Sequence, residues 1–400
     1  MSKISFVVNI YVDTDTSVEN NFDHPTVLKT FDTENTFYKT VKSINEVNIP
    51  SGYDVDLIVL ANAVNNVGSY DDIIKEKVSK NLDGLKIDSL IITNSEVQSL
   101  NNKGFTFPAT DGYCDLRNLG FIFSYYNNTD IVVQIDDDEL VKPNHLIKML
   151  EIFEENPHIK ILSGLYMNRN GIYQDELKDY KEWGKDRAMN DDRKIVTSSD
   201  IPVEIMYGMG GNMMVKKEFF SQICYPQDIP RGEDFALLLA ANLVNLNGND
   251  MAGISPGNDD FRTYSAKDDD VIIIHEQPYS EKNNRLKYIK LNLIRFIKQK
   301  FMLEGYITKE KYWEISRYMY LMTMNENFIK QIEKIYNEAV ERFTDDCPAG
   351  KAATDLIEVK DAYKAYSKRD LFQEYKEFQK SYIDLLNNSE ININEYIVNS

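Results

Sequence analysis

The sequence has few cysteines, no long apolar run and a deficit of positive charge, and each shortage excludes a class of protein. The three cysteines, Cys114, Cys224 and Cys347, are far apart and in no Cys-x-x-Cys pair, which excludes a disulfide framework and a zinc knuckle. No run approaches the roughly 18 apolar residues that a membrane-spanning helix needs. The 45 Lys and Arg face 64 Asp and Glu, a net charge of −19, which disfavours nucleic-acid binding. We therefore expect reduced thiols, a cytoplasmic location and no nucleic-acid partner.

The apolar content and its periodicity predict a globular α/β protein. Hydrophobic residues make up 42% of the chain and aromatic residues 12%, enough for a sizeable core and two or three domains. In the first half, short apolar runs alternate with helical patterns, which is typical of βαβ units and a largely parallel sheet. The predicted strands are Ile4–Val12, Val55–Ala61, Ser89–Thr93 and Asp130–Ile135, with a later strand at Val271–Ile274.

The last third of the sequence, from about Asn284, consists of long amphipathic helical stretches. Its apolar stripes must be buried, either against the preceding domain or in a homodimer interface. The helical stretch that begins this tail is also basic, and three interpretations stay open: contact with an anionic membrane at its inner face, contact with a ligand's phosphates, or a solvated face. The basic residues are Lys282, Arg285, Lys287, Lys290, Arg295, Lys298 and Lys300.

The strongest chemical signal is a predicted buried strand that ends in acidic residues. The four residues that follow Ile135 are Asp136, Asp137, Asp138 and Glu139. Carboxylates this close disfavour one another's ionisation unless a cation neutralises them, and hard oxygen ligands suit Mg²⁺ or Mn²⁺. In open α/β sheets ligands bind outside the carboxyl ends of the strands, where this segment is predicted to lie. The pattern favours a divalent-cation site, with a solvated acidic loop as the plainer alternative.

Three later segments carry further candidate residues. They are Gly208, Gly210 and Gly211 in the first segment, Glu233 and Asp234 in the second, and His275 in the third. The glycines permit close approach of the backbone to a ligand. The acidic pair precedes an apolar helical run, an arrangement that the helix dipole favours whatever the function. The histidine ends an apolar strand, where it serves either the structure or a metal.

Taken in order along the chain, these segments resemble nucleotide-sugar-dependent glycosyltransferases of the GT-A fold, particularly glycosyltransferase family 2. Leu116-Arg117-Asn118-Leu119-Gly120 is similar to the family's Arg-Asn-x-Gly helix, and Asp136-x-Asp138 to its DxD motif. Gly208–Asn212 resembles the glycine-containing loop near the donor sugar. Gly232-Glu233-Asp234 resembles the xED motif, and His275 the C-terminal metal-binding histidine.

The resemblance covers roughly residues 1–280 and implies a fold and an activity. The fold is a GT-A-like (Rossmann-type) α/β mixed sheet with flanking helices, with a nucleotide-sugar-binding half at about 1–140 and an acceptor half at about 141–283. An all-helical extension at 284–400 follows. The activity is hexosyl or N-acetylhexosaminyl transfer from a nucleotide-sugar donor to a hydroxyl of a glycan, lipid-linked or protein acceptor. Mn²⁺ or Mg²⁺ is the implied cofactor, and a UDP-sugar is favoured over a GDP-sugar.

The resemblance also implies a role for each motif residue. Asp136 lies near the ribose and the metal, while Asp138 and His275 coordinate the cation that bridges the diphosphate. Asp234 is the general base of an inverting displacement, and Glu233 positions the acceptor or supports that base. A retaining enzyme of this fold would not need the base, and inversion is the prediction.

The remaining donor contacts are predicted less directly. They are Tyr11, Asn62, Arg117, Asp137, Gly210 and Gly211. Where the family usually places an acidic residue to read the base, the sequence has Asn62, which either hydrogen-bonds a uracil or lies in a turn. Tyr11 is expected to stack on the base.

Two other functions compete with this interpretation. A phosphohydrolase would use Asp136 as nucleophile and Asp138 as acid and base, but it explains neither His275 nor the acidic pair Glu233-Asp234. A non-catalytic module would bind a nucleotide-sugar or a glycan without turnover.

Overall fold

The computed structural model describes residues 2–18, 20, 22, 25–34, 36–168, 170–171, 185–205, 208–247, 261–276, 285–304, 306, 327–343 and 350–392. The strands are β1 (Ser2–Asp13), β2 (Thr26–Val27), β3 (Tyr53–Ala63), β4 (Asp88–Ile92), β5 (Ile131–Asp136), β6 (Glu139–Leu140), β7 (Ile161–Ser163), β8 (Tyr166–Asn168), β9 (Val203–Ile205), β10 (Asn212–Lys216), β11 (Thr263–Ser265) and β12 (Ile273–His275). The helices of the first 247 residues are α1 (Phe31–Glu34), α2 (Phe37–Asn45), α3 (Asp71–Leu82), α4 (Asn94–Asn102), α5 (Tyr113–Tyr126), α6 (His145–Glu155), α7 (Lys185–Thr197), α8 (Lys217–Phe220) and α9 (Glu233–Asn247). Those of the tail are α10 (Arg285–Leu303), α11 (Phe328–Arg342), α12 (Lys351–Tyr366) and α13 (Leu371–Leu386).

One nine-stranded sheet organises the protein. Its order is β4-β3-β1-β5-β10-β7-β11-β9, with the short β2 beside β1. The strands β4, β3, β1 and β5 are mutually parallel, whereas β10 runs antiparallel to both of its neighbours. A second sheet of three strands has the order β6-β12-β8. The predicted mixed α/β sheet with flanking helices and a helical C-terminal region is confirmed.

The central strands are buried on both faces because helices cover the sheet on each side. In β1, Val7 and Tyr11 belong to one hydrophobic cluster, together with residues of α5, α9 and the tail. The residues of opposite parity, such as Phe6 and Val8, belong to a second cluster with α2, α3 and α6. Side chains alternate across a strand, so an almost continuous apolar sequence is what a doubly covered strand requires.

Helix α5 lies unusually close to the sheet. A Cβ atom on Gly120 would stand 2.8 Å from Cγ1 of Val7 and 3.5 Å from Cδ1 of Leu60, so only glycine permits this approach. One turn earlier, Arg117 is carried over the carboxyl edge of the strands. In the Arg-Asn-x-Gly pattern, the glycine therefore lets the helix pack against the sheet, and the arginine reaches the edge of the sheet where the predicted site lies.

The tail helices bury their apolar stripe against the first 247 residues. Leu293 and Ile297 of α10 lie in the same hydrophobic cluster as α5 and α9. In α13, the hydroxyl of Tyr375 donates to the carbonyl of Cys224 at 3.1 Å, and that of Tyr382 to the carbonyl of Phe220 at 2.5 Å. The sequence left two burial sites open for this stripe, the preceding domain and a homodimer interface. The structure shows packing against the preceding part of the chain. The predicted boundary at 283–284 lies outside the described residues.

The basic residues of α10 point largely inward. Arg295 and Lys298 are buried, and Lys290 bonds both Asp355 at 3.1 Å and Glu358 at 2.9 Å. A continuous solvated basic face is therefore not formed by these residues, while Lys282 lies outside the described part of the chain. Across the described ranges, no helix has the length and apolar content that crossing a bilayer demands. The described cysteines, Cys114 and Cys224, are free thiols as predicted.

Candidate active site

The parallel strands bring the predicted residues to one edge of the sheet. In the strand register Asn9 of β1 lies opposite Asp136 of β5, and Tyr11 lies opposite Asn62 of β3. The carboxyl ends of β1, β3 and β5 therefore meet where the acidic segment begins. This is the position at which open α/β sheets bind ligands.

Arg117 joins two of the predicted motifs. Its Nη2 atom lies 2.5 Å from Oδ1 of Asp136 and 3.3 Å from Oε1 of Glu233. Arg117 is 2% exposed, and Asp136 keeps 31% of its side chain exposed. Charge-assisted bonds from a buried guanidinium fix both carboxylates in place. The helix, the strand end and the acidic pair are far apart in the chain but form one connected group.

The acidic pair begins α9, as the sequence predicts. Burial raises the pKa of Glu233, Arg117 opposes that rise, and the neighbouring Asp234 adds to it. Oδ1 of Asp234 accepts a hydrogen bond from the amide of Phe235 at 2.7 Å. A Cβ on Gly210 would stand 3.3 Å from Cβ of Asp234 and 3.3 Å from Nη2 of Arg117. The glycine loop thus lies directly against the acidic pair.

Asp138 and His275 form a second contact pair. Nε2 of His275 lies 3.0 Å from Oδ2 of Asp138, and the antiparallel pairing of β12 with β6 sets Glu139 opposite His275. Burial lowers the pKa of His275, but Asp138, Glu139 and Asp136 raise it by more, to about 9. In this arrangement the imidazole is protonated at neutral pH and donates to the carboxylate.

The predicted metal ligands are only partly assembled. Among the residues that the structure describes, no group of three or more His, Cys, Asp or Glu side chains is arranged to hold a metal ion. Asp138 and His275 touch, whereas Asp136 is directed to Arg117. Carboxylate oxygens suit Mg²⁺ and Mn²⁺, and imidazole suits divalent transition metals such as Fe and Ni. The donor pair therefore fits a divalent ion that replaces the proton on His275 and takes its other ligands from a bound molecule.

Glu139 and Tyr166 support the glycine loop; from the sequence, Glu139 was only a member of the acidic segment and Tyr166 was assigned no role. Glu139 is fully buried and accepts a hydrogen bond from the amide of Asp136 at 2.8 Å. A Cβ on Gly211 would stand 2.1 Å from its Oε2, and the amide of Gly211 donates to the hydroxyl of Tyr166 at 2.8 Å. Burial raises the pKa of Glu139 well above its ordinary value. A larger residue at position 211 would displace the carboxylate of Glu139.

The predicted base-binding residues are buried. The ring of Tyr11 stacks on Phe22 with centroids 4.4 Å apart and meets Tyr113 edge-on at 5.0 Å, so one face of the ring is already covered. Asn62 lies inside β3, which rules out the turn interpretation. Both amide atoms of Asn62, both of Asn9 and the hydroxyl of Tyr11 are buried without a hydrogen-bond partner among the described residues.

Buried polar groups in folded proteins are almost always paired, so these atoms need a partner such as a buried water or a bound molecule. Asn9 was missed in the sequence, where it reads as a polar interruption of an apolar strand. Asp137 was also predicted to contact the donor. Its carboxylate accepts a hydrogen bond from the hydroxyl of Thr26 at 3.2 Å.

His145 supports the glycine loop through a hydrogen bond to Asn212. Its Nε2 atom lies 2.9 Å from Oδ1 of Asn212, the residue after Gly211, and Nδ2 of Asn212 donates to the carbonyls of Leu165 and Val271. Since the Asn212 oxygen can only accept, Nε2 of His145 carries the proton. Burial lowers the pKa of His145 from 6.5 to about 4.

This shift predicts a loss of stability in acid. Because the unfolded chain binds a proton near pH 6.5 and the folded protein only near pH 4, the free energy of unfolding falls as the pH drops through that window, by about 3 kcal/mol from this group. His145→Gln should remove that part of the slope in urea unfolding measured from pH 7 to pH 4. The exposed His158→Gln is the control and should keep the wild-type slope. Equal slopes in all three proteins would contradict the assignment.

Comparisons with known proteins give only solved structures of low identity and low TM-score. No family model matches the chain, and neither does any curated protein. Among solved structures, S. aureus TarS has a TM-score of 0.43 at 12% identity, covering 94% of this chain and 55% of TarS, so the chain spans about half of that protein. TarS 1–349 gives 0.44 at 11% identity, covering 92% of this chain and 91% of that one. Mannosyltransferase PcManGT from Pyrobaculum calidifontis, in complex with GDP-Man and Mn²⁺, gives 0.43 at 13% identity, covering 96% and 87%. Similarity at these values assigns no function to the chain.

Proposed function

We propose that the protein is a metal-dependent glycosyltransferase that moves a sugar from a nucleotide diphosphate donor to a hydroxyl of a glycan, lipid-linked or protein acceptor. The observation that carries this proposal is the contact network at the carboxyl edge of the sheet. Arg117 bonds Asp136 and Glu233, Gly210 lies against Asp234, and Asp138 pairs with His275. Motif elements drawn from the whole length of 117–275 meet in one place.

The roles follow from what each group contacts. Asp234 lies beside the glycine loop and acts as the base that takes the proton of the acceptor hydroxyl, in an inverting displacement. Glu233 is held by Arg117 and orients the first turn of α9, which carries Asp234. Asn9, Asn62 and Tyr11 offer unpaired polar atoms to the nucleoside, for which uracil is the proposed base. A divalent cation bound by Asp138 and His275 would neutralise the donor's diphosphate.

A panel of nucleotides tests the proposal directly. UDP, GDP, CMP and dTDP are each added with and without Mn²⁺, and the melting temperature of the full chain is recorded. A ligand that binds only the folded state stabilises it, by about 2.7 kcal/mol at about 100 times its Kd. A metal-dependent rise for one nucleotide, UDP in our proposal, supports the function and identifies the donor. No rise with any nucleotide would contradict it.

Replacing Asp138 with alanine should abolish the metal-dependent part of that rise, because one of the two proposed protein ligands is lost. We expect nucleotide affinity in Mn²⁺ to fall to its value without metal, as measured by calorimetry. The exposed Asp88→Ala is the matched control and should bind like the wild type. Undiminished metal-dependent affinity of Asp138→Ala would remove this residue from the proposed site.

A further inference from the structure

Glu139 lies at the junction of two loops of the candidate site. Two other members of the acidic segment contact basic groups: Asp136 lies 2.5 Å from Arg117, and Asp138 lies 3.0 Å from His275. Glu139 is fully buried, and its Oε2 atom accepts a hydrogen bond from the amide of Asp136 at 2.8 Å. Its Oε1 atom has no hydrogen-bond partner among the described residues. A buried carboxylate with so few hydrogen bonds is costly, so its position requires an explanation.

The carboxylate of Glu139 also lies against the glycine loop. A Cβ on Gly211 would stand 2.1 Å from its Oε2, 2.5 Å from its Cδ and 2.5 Å from its Oε1. The φ angle of Gly211 is outside the left-handed region, so the contact with Glu139, rather than backbone strain, disfavours a larger residue there. One carboxylate therefore joins the turn after β5 to the glycine loop, two segments that are far apart in the chain.

The three-stranded sheet β6-β12-β8 holds the glycine loop at a second point. Glu139 of β6 lies opposite His275 of β12, and the next strand, β8, carries Tyr166. The hydroxyl of Tyr166 accepts a hydrogen bond from the amide of Gly211 at 2.8 Å, and its ring centroid lies 5.5 Å from that of His275. Side chains of one small sheet therefore fix the glycine loop relative to the strand that carries the histidine.

The two sides that Glu139 joins have different roles in the proposed reaction. On one side, Asp138 and His275 are the proposed ligands of the cation that holds the donor. On the other side, a Cβ on Gly210 would stand 3.3 Å from the Cβ of Asp234, the proposed base. Reacting atoms must approach to about 3–3.5 Å, and an error of about 1 Å can cost about 10²-fold in rate. The spacing between the two sides is therefore critical for the rate of transfer.

We propose that Glu139 is a positioning residue, which sets the distance between the donor's cation and Asp234 by holding the turn after β5 against the glycine loop. It acts through its length and its hydrogen bond to the Asp136 amide. It is not a ligand of the cation, because both of its oxygens lie against Gly211. The role in sugar transfer rests on the proposed function, whereas the contact between Glu139 and Gly211 stands on the structure.

Two conservative replacements of Glu139 separate length from charge. Glutamine keeps the length and an acceptor for the Asp136 amide but carries no charge, whereas aspartate keeps the charge and is one methylene shorter. With saturating donor and acceptor, we expect Glu139→Gln to retain kcat within about threefold and Glu139→Asp to lower it by about tenfold or more. The affinity for the donor in Mn²⁺, measured by calorimetry, should be unchanged in both.

Three results would overturn the proposal. The first is a kcat in Glu139→Asp that equals the wild-type value. The second is a higher kcat in Glu139→Asp than in Glu139→Gln, and the third is a loss of Mn²⁺-dependent donor affinity in Glu139→Gln. The last two would assign the carboxylate a direct role through its charge at the cation.

Glu96 is a matched control for the structural effect of such a replacement. It is 9% exposed, and its Oε2 atom accepts a hydrogen bond from the amide of Thr93 at 2.8 Å, which is also the amide three residues earlier. Because it lies in α4, after the edge strand β4, Glu96→Asp should lower the melting temperature without changing kcat or donor affinity. A loss of kcat in Glu139→Asp that is no larger than in Glu96→Asp would indicate a purely structural role and overturn the proposal.

A double-mutant cycle with Gly211 tests the contact itself and requires no activity. In the wild type, a methyl group at position 211 would meet the carboxylate, whereas Glu139→Ala removes that carboxylate. Urea unfolding should therefore show a smaller loss of stability from Gly211→Ala in Glu139→Ala than in the wild type. Equal losses in the two backgrounds would overturn the contact and the proposal with it. Coupling in a protein that transfers no sugar would instead contradict the proposed function and leave Glu139 a structural residue.

Discussion

Asp234→Asn is expected to lower kcat for sugar transfer by about 10²- to 10⁴-fold while leaving the affinity for the donor unchanged. Asparagine has nearly the same shape and can still contact the Phe235 amide through its oxygen, but it cannot accept the acceptor's proton. The donor's proposed contacts, at Asn62, Asp138 and His275, lie on other elements. Turnover measured with saturating donor and acceptor, together with calorimetry for the donor, checks both halves of the expectation.

The exposed Asp72→Asn is the matched control, because Asp72 also lies in the first turn of a helix, α3. It should leave both quantities at their wild-type values. Undiminished kcat in Asp234→Asn would exclude the base role. Determination of the product's anomeric configuration by NMR adds an independent check, since a retained configuration would also make such a base unnecessary.

Arg117→Met is expected to destabilise the folded protein by about 3–5 kcal/mol at neutral pH. The side chain is almost completely buried and holds Asp136 and Glu233 at 2.5 and 3.3 Å. Removing it leaves two carboxylates facing each other without a cation. Urea unfolding followed by circular dichroism measures the change, and the exposed Arg342→Met should cost less than about 0.5 kcal/mol.

The loss of folding stability caused by Arg117→Met should become smaller as the pH falls from 8 to 5. Burial already raises the pKa of Glu233, and loss of the guanidinium that opposes this rise will raise it further. A carboxyl whose folded pKa exceeds its unfolded pKa binds a proton more readily in the folded state, so stability is recovered on acidification. A deficit that stays constant with pH would show that lost packing, rather than charge, is the cause.

The part of the fold that depends on local periodicity could be predicted from the sequence. The sequence runs that form β1, β3, β4 and β5 are apolar and short, and segments with helical spacing separate them. This alternation predicted βαβ units and therefore parallel strands. The acidic residues at the end of β5 and at the start of α9 were predicted at the ends of these two elements for the same reason. Each lies at the end of an element whose apolar pattern stops abruptly.

The remainder depends on contacts between distant segments. The antiparallel β10 was not predicted: only its first residue, Asn212, was assigned, as the end of the glycine loop, and its five residues carry no alternating pattern. Asn9 became a candidate only from its position in the structure, where both of its amide atoms are buried without a hydrogen-bond partner among the described residues. Nothing in the spacing of α10 indicates that Arg295 points at Gly232, since the tail could have packed in more than one way.

The tyrosine hydrogen bonds between α13 and the body of the protein have a consequence for biosynthesis. The hydroxyl of Tyr126 bonds the carbonyl of Leu385, 259 residues later, and Tyr375 bonds a carbonyl 151 residues earlier. At about 5–20 residues per second, the ribosome needs roughly 7–28 s to make the segment between α9 and the end of α13. Until the tail helices have been made, the apolar surface of α5 and α9 that they pack against is exposed on the nascent chain to chaperones and to other nascent chains.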